Sequence, residues 1–219
     1  MTAGVALARI DPLAAGPAAP VFAEALRNPD GRVRHDATIM LRELGPAGRE
    51  ATPILTELLR EKAEYIRQIA ANAVCYSRDP RAVPALVEAL EKDAQVSVRS
   101  TAAMALGFVG PDAKAAVPAL EAKLKDADIG TRIVSAEALW KINKNEERTV
   151  PVLIEALRHK NTYMVGLSAG ILGRMGPAAK RGVPDLLVLL KASDETQRRV
   201  AGQLLKGIDP KAAADAGVK

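Results

Sequence analysis

The stretch 115-AAVPALEAKLKDADIGTR-132 places a proline inside what otherwise reads as a helix. Nearly the same phrase returns as RAVPALVEALEKD from Arg81, RTVPVLIEALRHK from Arg148 and RGVPDLLVLLKAS from Arg181. Aligning on the proline gives six registers, at Pro20, Pro53, Pro84, Pro118, Pro151 and Pro184, spaced by 33, 31, 34, 33 and 33 residues. The second residue after each proline is apolar (Phe22, Leu55, Leu86, Leu120, Leu153, Leu186), and the sixth is leucine (Leu26, Leu59, Leu90, Leu124, Leu157, Leu190). Fourteen or fifteen residues after the proline comes an arginine: Arg34, Arg67, Arg99, Arg132 and Arg198, with Val165 breaking the series in the fifth register. Seven residues on stand Leu41, Val74, Leu106, Leu139, Leu172 and Leu205, and three further on Leu44, Ser77, Val109, Ile142, Met175 and Ile208. Several registers close on Gly45-Pro46, Gly110-Pro111, Gly176-Pro177 or Asp209-Pro210, pairs that end helices and begin turns.

Each register predicts two helices. Helix A carries the proline in its first turn, where the missing N–H has no intrahelical partner. A loose turn is expected ahead of it in stretches such as GPAAKRGVP, residues 176–184. Helix B carries the arginine. One such pair cannot bury its apolar face alone, whereas stacked neighbours can. The predicted fold class is therefore all-α, a right-handed α-α superhelix (solenoid) of about six two-helix repeats, residues about 17–45, 46–78, 79–110, 111–143, 144–176 and 177–208. These form one domain, with a partial repeat over 1–16 and a tail over 209–219. Leu7, Ile10 and Asp11-Pro12 match the end of a helix B, and the tail resembles the start of another helix A. Neither end reads as a polar cap, as expected of a segment of a longer array or of a small protein with frayed ends. The expected state is a monomer or weak end-to-end self-association.

Composition agrees with packed helices. Apolar residues make up 48% of the chain but aromatics only 3%, where a β-sandwich would want β-branched and aromatic residues. Residues 1–109 hold 13 basic and 13 acidic residues, and residues 110–219 hold 18 and 13, so the net charge of +5 lies in the second half. Cys75 is the single cysteine; it excludes an internal disulfide and fits a reducing compartment. MTAGVALARIDPLAAG lacks the basic start and long apolar core of a signal peptide, and no apolar run approaches the ~18 residues that span a membrane. A cytoplasmic protein without membrane contact is expected.

The phrases VPALVEALEKDAQVSVRSTAAMALGFVGP (83–111) and VPALEAKLKDADIGTRIVSAEALWKI (117–142) closely resemble compact HEAT repeats of the phycobilisome-lyase type, and the resemblance spans about 17–208. A period near 33 also suits ankyrin and tetratricopeptide repeats. Ankyrin's TPLH is absent, and so are the Trp and Leu-Gly pair of a tetratricopeptide first helix. The resemblance implies that helix B lines a concave surface; it specifies fold far more than function.

With the arginine as position zero of helix B and 100° per residue, positions three, seven and ten share one side. Position three is small throughout: Ala37, Ala70, Ala102, Ser135, Ser168 and Ala201. The arginine stands at the edge of this buried side, where it is expected to pair with acids such as Asp93, Asp126 or Asp194 or to cap a turn. Positions one, five, eight and nine lie opposite. They hold Tyr76, Met104, Phe108 and Trp140, which include three of the chain's six aromatics, flanked by Glu137, Lys141, Arg174 and Arg199. Aromatics and methionine ringed by charge make a hot-spot patch, provided that Phe108 and Trp140 are solvent-accessible. The competing expectation is that position nine packs against helix A or the next repeat. Gly166, Gly170 and Gly173 map to the same open side, either to admit a partner's backbone or as a loosened surface. Lys141, Arg174, Arg199 and Lys206 make its far end basic. A protein or peptide with an aromatic or aliphatic anchor followed by acidic residues suits such a face.

Catalytic chemistry is sparse. His35 and His159 stand in different repeats without metal-ligand spacing, so no metal, cofactor or catalytic residue is expected. Asp126, Asp128, Glu146 and Glu147 read as helix-start charges. The leading expectation is a non-enzymatic protein–protein interaction scaffold. One alternative is nucleic-acid binding in the manner of HEAT-like alkylpurine DNA glycosylases, with Glu137 beside Trp140 as a faint echo of a catalytic acid. The charge is small and local for that role. The other is an accessory subunit of a chromophore lyase, implied by the resemblance alone.

Overall fold

A computed structural model describes residues 11–218; Leu7 and Ile10, read above as the end of a helix B, lie outside the described residues. Among the described residues the chain is helical with no strand. It packs as two compact units. The first holds the described residues up to Leu120 together with Lys141–Asn143, and the second holds Glu121–Trp140 and Lys144 onwards.

A short α1 (Pro12–Ala15) opens the described chain. The A helices are α2 (Ala19–Ala25), α4 (Thr52–Leu58), α6 (Val83–Lys92), α8 (Val117–Lys123), α10 (Glu146–Ala156) and α12 (Val183–Leu189). The B helices are α3 (Gly31–Leu44), α5 (Glu64–Ser77), α7 (Val96–Val109), α9 (Ile129–Asn143), α11 (Thr162–Met175) and α13 (Glu195–Ile208). A closing α14 (Pro210–Asp215) begins at the Asp209-Pro210 pair.

The repeated prolines do what their chemistry allows. Pro20, Pro53, Pro84, Pro118 and Pro184 each occupy the second residue of helix A. A tight 3-10 turn runs into each of these helices, as at Gly45–Ala51, Gly110–Ala116 and Gly176–Gly182. Pro151 departs from the first-turn expectation and lies inside α10. Asn145 explains the difference: its side chain accepts the Arg148 N–H at 3.1 Å and starts the helix before the proline is reached.

The core follows the predicted register. Position three is buried in all six repeats, as are the residues four and seven positions later, all apolar except Ser77. Leu55, Leu86, Leu120, Leu153 and Leu186 are fully buried in helix A, each worth about 1.5–3 kcal/mol relative to exposure. Phe22, Leu124 and Leu190 are half-buried.

The arginine ladder caps the turn between helices A and B. Guanidinium Nη1 donates to the carbonyls six and five residues back: Arg34 to Asn28 and Pro29, Arg67 to Glu61 and Lys62, Arg99 to Asp93 and Ala94, Arg198 to Ala192 and Ser193. Arg132 reaches the Asp126 carbonyl at 3.1 Å. These carbonyls belong to the end of helix A, where intrahelical donors run out. The Asp side chains serve mainly at the other end of the turn. Asp30, Asp128 and Asp194, with Asn161, accept N–H bonds from the first turns of α3, α9, α13 and α11.

Candidate functional site

The open side of helix B is carried in the first unit by α5 and α7. Tyr76 and Met104 are half-buried there, and Phe108 is 37% exposed, large for an aromatic on a packed helix. Two cations share the Phe108 ring. Lys141 Nζ lies 4.6 Å from the ring centroid, and the Arg78 guanidinium carbon lies 5.6 Å from it. Contacts of this kind contribute about 0.5–1 kcal/mol at exposed sites.

Arg78 is held in place by an unusual backbone. It follows the last residue of α5 in a left-handed conformation, φ 50° and ψ 37°. Asp79 beyond it is buried and tied from three directions. Thr52 Oγ1 donates to it at 2.7 Å, and Arg81 donates its backbone N–H at 3.0 Å and its Nε at 2.8 Å. Burial alone would raise the Asp79 pKa, but these bonds and the Arg81 charge outweigh it and hold the carboxyl below its usual range. Cys75, one residue before Tyr76, is buried, its thiol donating to the Ala71 carbonyl at 3.4 Å. Burial pushes this thiol up to about 12 against a lowering pull from Lys141, so it is a neutral packing group.

In the second unit, Glu137 and Arg174 pair at 2.6 Å. Glu137 is therefore charge-matched, an arrangement unlike that of a poised catalytic acid. Arg174 and Arg199 are exposed. Trp140 differs from the solvent-accessible placement that the patch requires. It is half-buried against the apolar cluster of Ile133, Ala136 and their neighbours, and its Nε1 is buried with no hydrogen-bond partner among the described residues. Cys75 and Gly107 hold the same position eight in the first unit and are also buried. Position eight is thus covered at Cys75, Gly107 and Trp140 and exposed at Arg42, Gly173 and Lys206.

Gly166, Gly170 and Gly173 are exposed on α11. A Cβ at Gly166 or Gly173 would meet nothing within 4 Å, and at Gly170 only the Arg174 guanidinium, 3.5 Å away. Among the described residues no packing requires glycine at these positions. Among the described residues no group of three or more His, Cys, Asp or Glu is gathered as a metal would need, and no helix is long and apolar enough to cross a membrane.

Sequence reasoning passed over Arg78. The available signal is its place eleven residues after Arg67, where Gly45, Gly110 and Gly176 end their own B helices with positive φ.

The comparisons with known proteins agree on the fold. No curated protein sequence matches the chain. Among solved structures, the YibA protein of Escherichia coli is similar over 94% of this chain and 78% of its own, at 17% identity and a TM-score of 0.65. The complex of CpcE and CpcF of phycocyanin lyase from Nostoc is similar over 71% of this chain and 98% of the matched one, at 22% identity and a TM-score of 0.56. A designed armadillo repeat protein, solved in complex with the peptide (KR)4, is similar over 90% of this chain and 98% of its own, at 17% identity and a TM-score of 0.55. Likeness at these identities shows the fold alone, an all-α repeat array. The family model described as HEAT repeats matches residues 59–140 and 117–206, well over half of the sequence, and the chain belongs to the HEAT-repeat family.

Proposed function

We propose that this chain is a non-enzymatic scaffold that docks a protein or peptide on the open face of its B helices. The observation that carries the reading is Phe108, a large apolar ring left in water on a helix whose other faces are packed. Tyr76 and Met104 extend the apolar area, and Lys141 supplies charge at its edge. Aromatic residues beside methionine, ringed by cations, have the make-up of an interface anchor. Arg174 and Arg199 add exposed positive charge to the B helices of the second unit, with Glu137 holding Arg174 in position. The designed armadillo protein that carries a peptide gives a precedent for peptide docking on a related fold.

The test is affinity capture from source-cell lysate with the wild type and a Tyr76→Ala/Phe108→Ala variant, after circular dichroism shows that both are folded. Trp140 is left intact because its packing role would confound the result. A protein retained by the wild type and lost from the variant supports the reading. Identical retention by both removes the helix-B face from consideration.

A further inference from the structure

We propose that the turn between α10 and α11 carries a notch for a guanidinium, and that its ligand is an arginine side chain presented by a partner. The notch lies within the second unit and is independent of the helix-B reading above.

The other five repeats of this chain show what such a turn takes. In each, an arginine at position zero of helix B donates Nη1 to the carbonyl six residues back, and in four of them also to the carbonyl five back. In the fifth repeat position zero is Val165, buried at 4% exposure. The carbonyls six and five residues back are those of His159 and Lys160, and among the described residues no guanidinium donates to them. A valine side chain ends at Cγ, so Val165 takes the place of an arginine's stem and not of its head. The turn also follows the C-terminal end of α10, where the helix dipole favours a cation.

Beside these groups the structure has a cavity of about 120 Å³. Its lining includes His159, Lys160 and Val165 and, from the following repeat, Asp194, Thr196 and Gln197. One water needs only ~10–15 Å³ of such space, so the four heavy atoms of a guanidinium fit. Asp194 adds a carboxylate. Its Oδ1 caps α13 by accepting the Gln197 N–H at 2.8 Å, and Oδ2 is not used in that bond. Arg67 is the precedent for this combination. It caps its own turn with Nη1 and donates Nε and Nη2 to Asp93, in the turn of the following repeat. A guanidinium in the fifth turn meets the same set of acceptors, two carbonyls and one carboxylate.

The cations on the rim do not exclude another. Arg60 and Lys62 stand at the places of Arg158 and Lys160 in the second repeat, and Arg67 is bonded to that turn nonetheless. Arg158 is also drawn towards Asp185, its Nη2 lying 3.4 Å from Oδ1. An ammonium is a compact donor that reaches the carbonyls but has no second edge to offer Asp194, so the notch selects arginine over lysine.

The test follows backbone amides of the whole, isotope-labelled chain by NMR during titration with N-acetyl-arginine amide. N-acetyl-lysine amide at matched ionic strength is the comparison. Saturable shifts are expected at residues 159–165 and 194–197, with arginine bound about fivefold tighter than lysine. Val165→Arg supplies the side chain from within. It is expected to melt no lower than the wild type and to abolish the shifts. Asp194→Asn keeps the helix cap, because asparagine caps as well as aspartate, and is expected to weaken arginine binding about fivefold. The proposal is overturned if arginine causes no saturable shift at these amides, if lysine binds as tightly, or if folded Val165→Arg binds the probe as the wild type does. Should Val165→Arg fail to fold, the wild-type titrations and Asp194→Asn decide, and unchanged affinity in Asp194→Asn overturns the notch.

Discussion

Arg67 joins two repeats through Asp93. Its Nη1 caps the carbonyls of its own turn at Glu61 and Lys62, while Nε and Nη2 donate to both carboxylate oxygens of Asp93, at 2.6 and 3.0 Å, in the turn that follows α6. Both side chains are largely buried, at 15% and 7% exposure. The pair raises the Arg67 pKa through the hydrogen bond to Asp93. Breaking a buried, bidentate pair leaves one charge unmatched, so Arg67→Ala is expected to cost about 3 kcal/mol in urea unfolding. Arg67→Lys keeps the charge and loses the fork, and should lie closer to the alanine variant than to the wild type. Wild-type stability in Arg67→Ala would show that the ladder is decoration.

Acid is expected to loosen the first unit before it loosens an ordinary helical surface. Asp93 and Asp79 both hold their protons less tightly folded than unfolded: burial opposes this, but hydrogen bonds from Arg67 and Gln95, and from Arg81 and Thr52, prevail. A folded pKa below the unfolded value means that the stabilisation is fully present above the unfolded value of about 3.9 and is lost as pH falls through the folded one. Urea midpoints followed from about pH 6 down to about pH 3 should fall, and Asp79→Asn with Asp93→Asn should flatten that fall.

The glycines of α11 give a clean contrast. Gly166→Ala and Gly173→Ala place a Cβ in open space, and each should stabilise the chain by about 1 kcal/mol through helix propensity. Gly182→Ala should act in the opposite direction, because its Cβ would come within 3.0 Å of Ile154 Cδ1 and 3.1 Å of Val150 Cγ1. Thermal melts of the three variants test both signs.

Ser135 is a second candidate for stabilisation. Its hydroxyl is buried without a hydrogen-bond partner, whereas Ser168, one repeat on at the same position, donates to the Leu153 carbonyl at 2.5 Å. Ser135→Ala should therefore gain about 1 kcal/mol and Ser168→Ala should lose a similar amount.

The architecture was legible because the residues that set it have few alternative uses. Proline favours the start of a helix, small residues at position three allow close helix packing, and a recurring arginine needs carbonyls or acids within reach. The choice of acid was less legible. Asp93 stands in the same repeat as Arg99, yet its side chain serves Arg67, and Arg99 takes the Asp93 backbone carbonyl. A guanidinium that caps its own turn presents its remaining edge to the next repeat, as Arg34 does to Tyr65 and Arg132 to Glu155. Trp140 was placed on the open side because a helical wheel treats each helix as an isolated cylinder. The packing of Trp140 against the apolar cluster of Ile133 and Ala136 depends on three-dimensional neighbours, which that construction does not carry. Arg78 was missed because left-handed backbone leaves no mark on hydrophobic periodicity.

The most direct test of the helix-B account is amide hydrogen exchange on the chain alone and with its captured partner. The account predicts added protection in the C-terminal halves of α5 and α7 and around Lys141, with α4, α6 and α10 unchanged. Protection confined to those A helices, with the segments around Tyr76 and Phe108 exchanging as in the free chain, would contradict it.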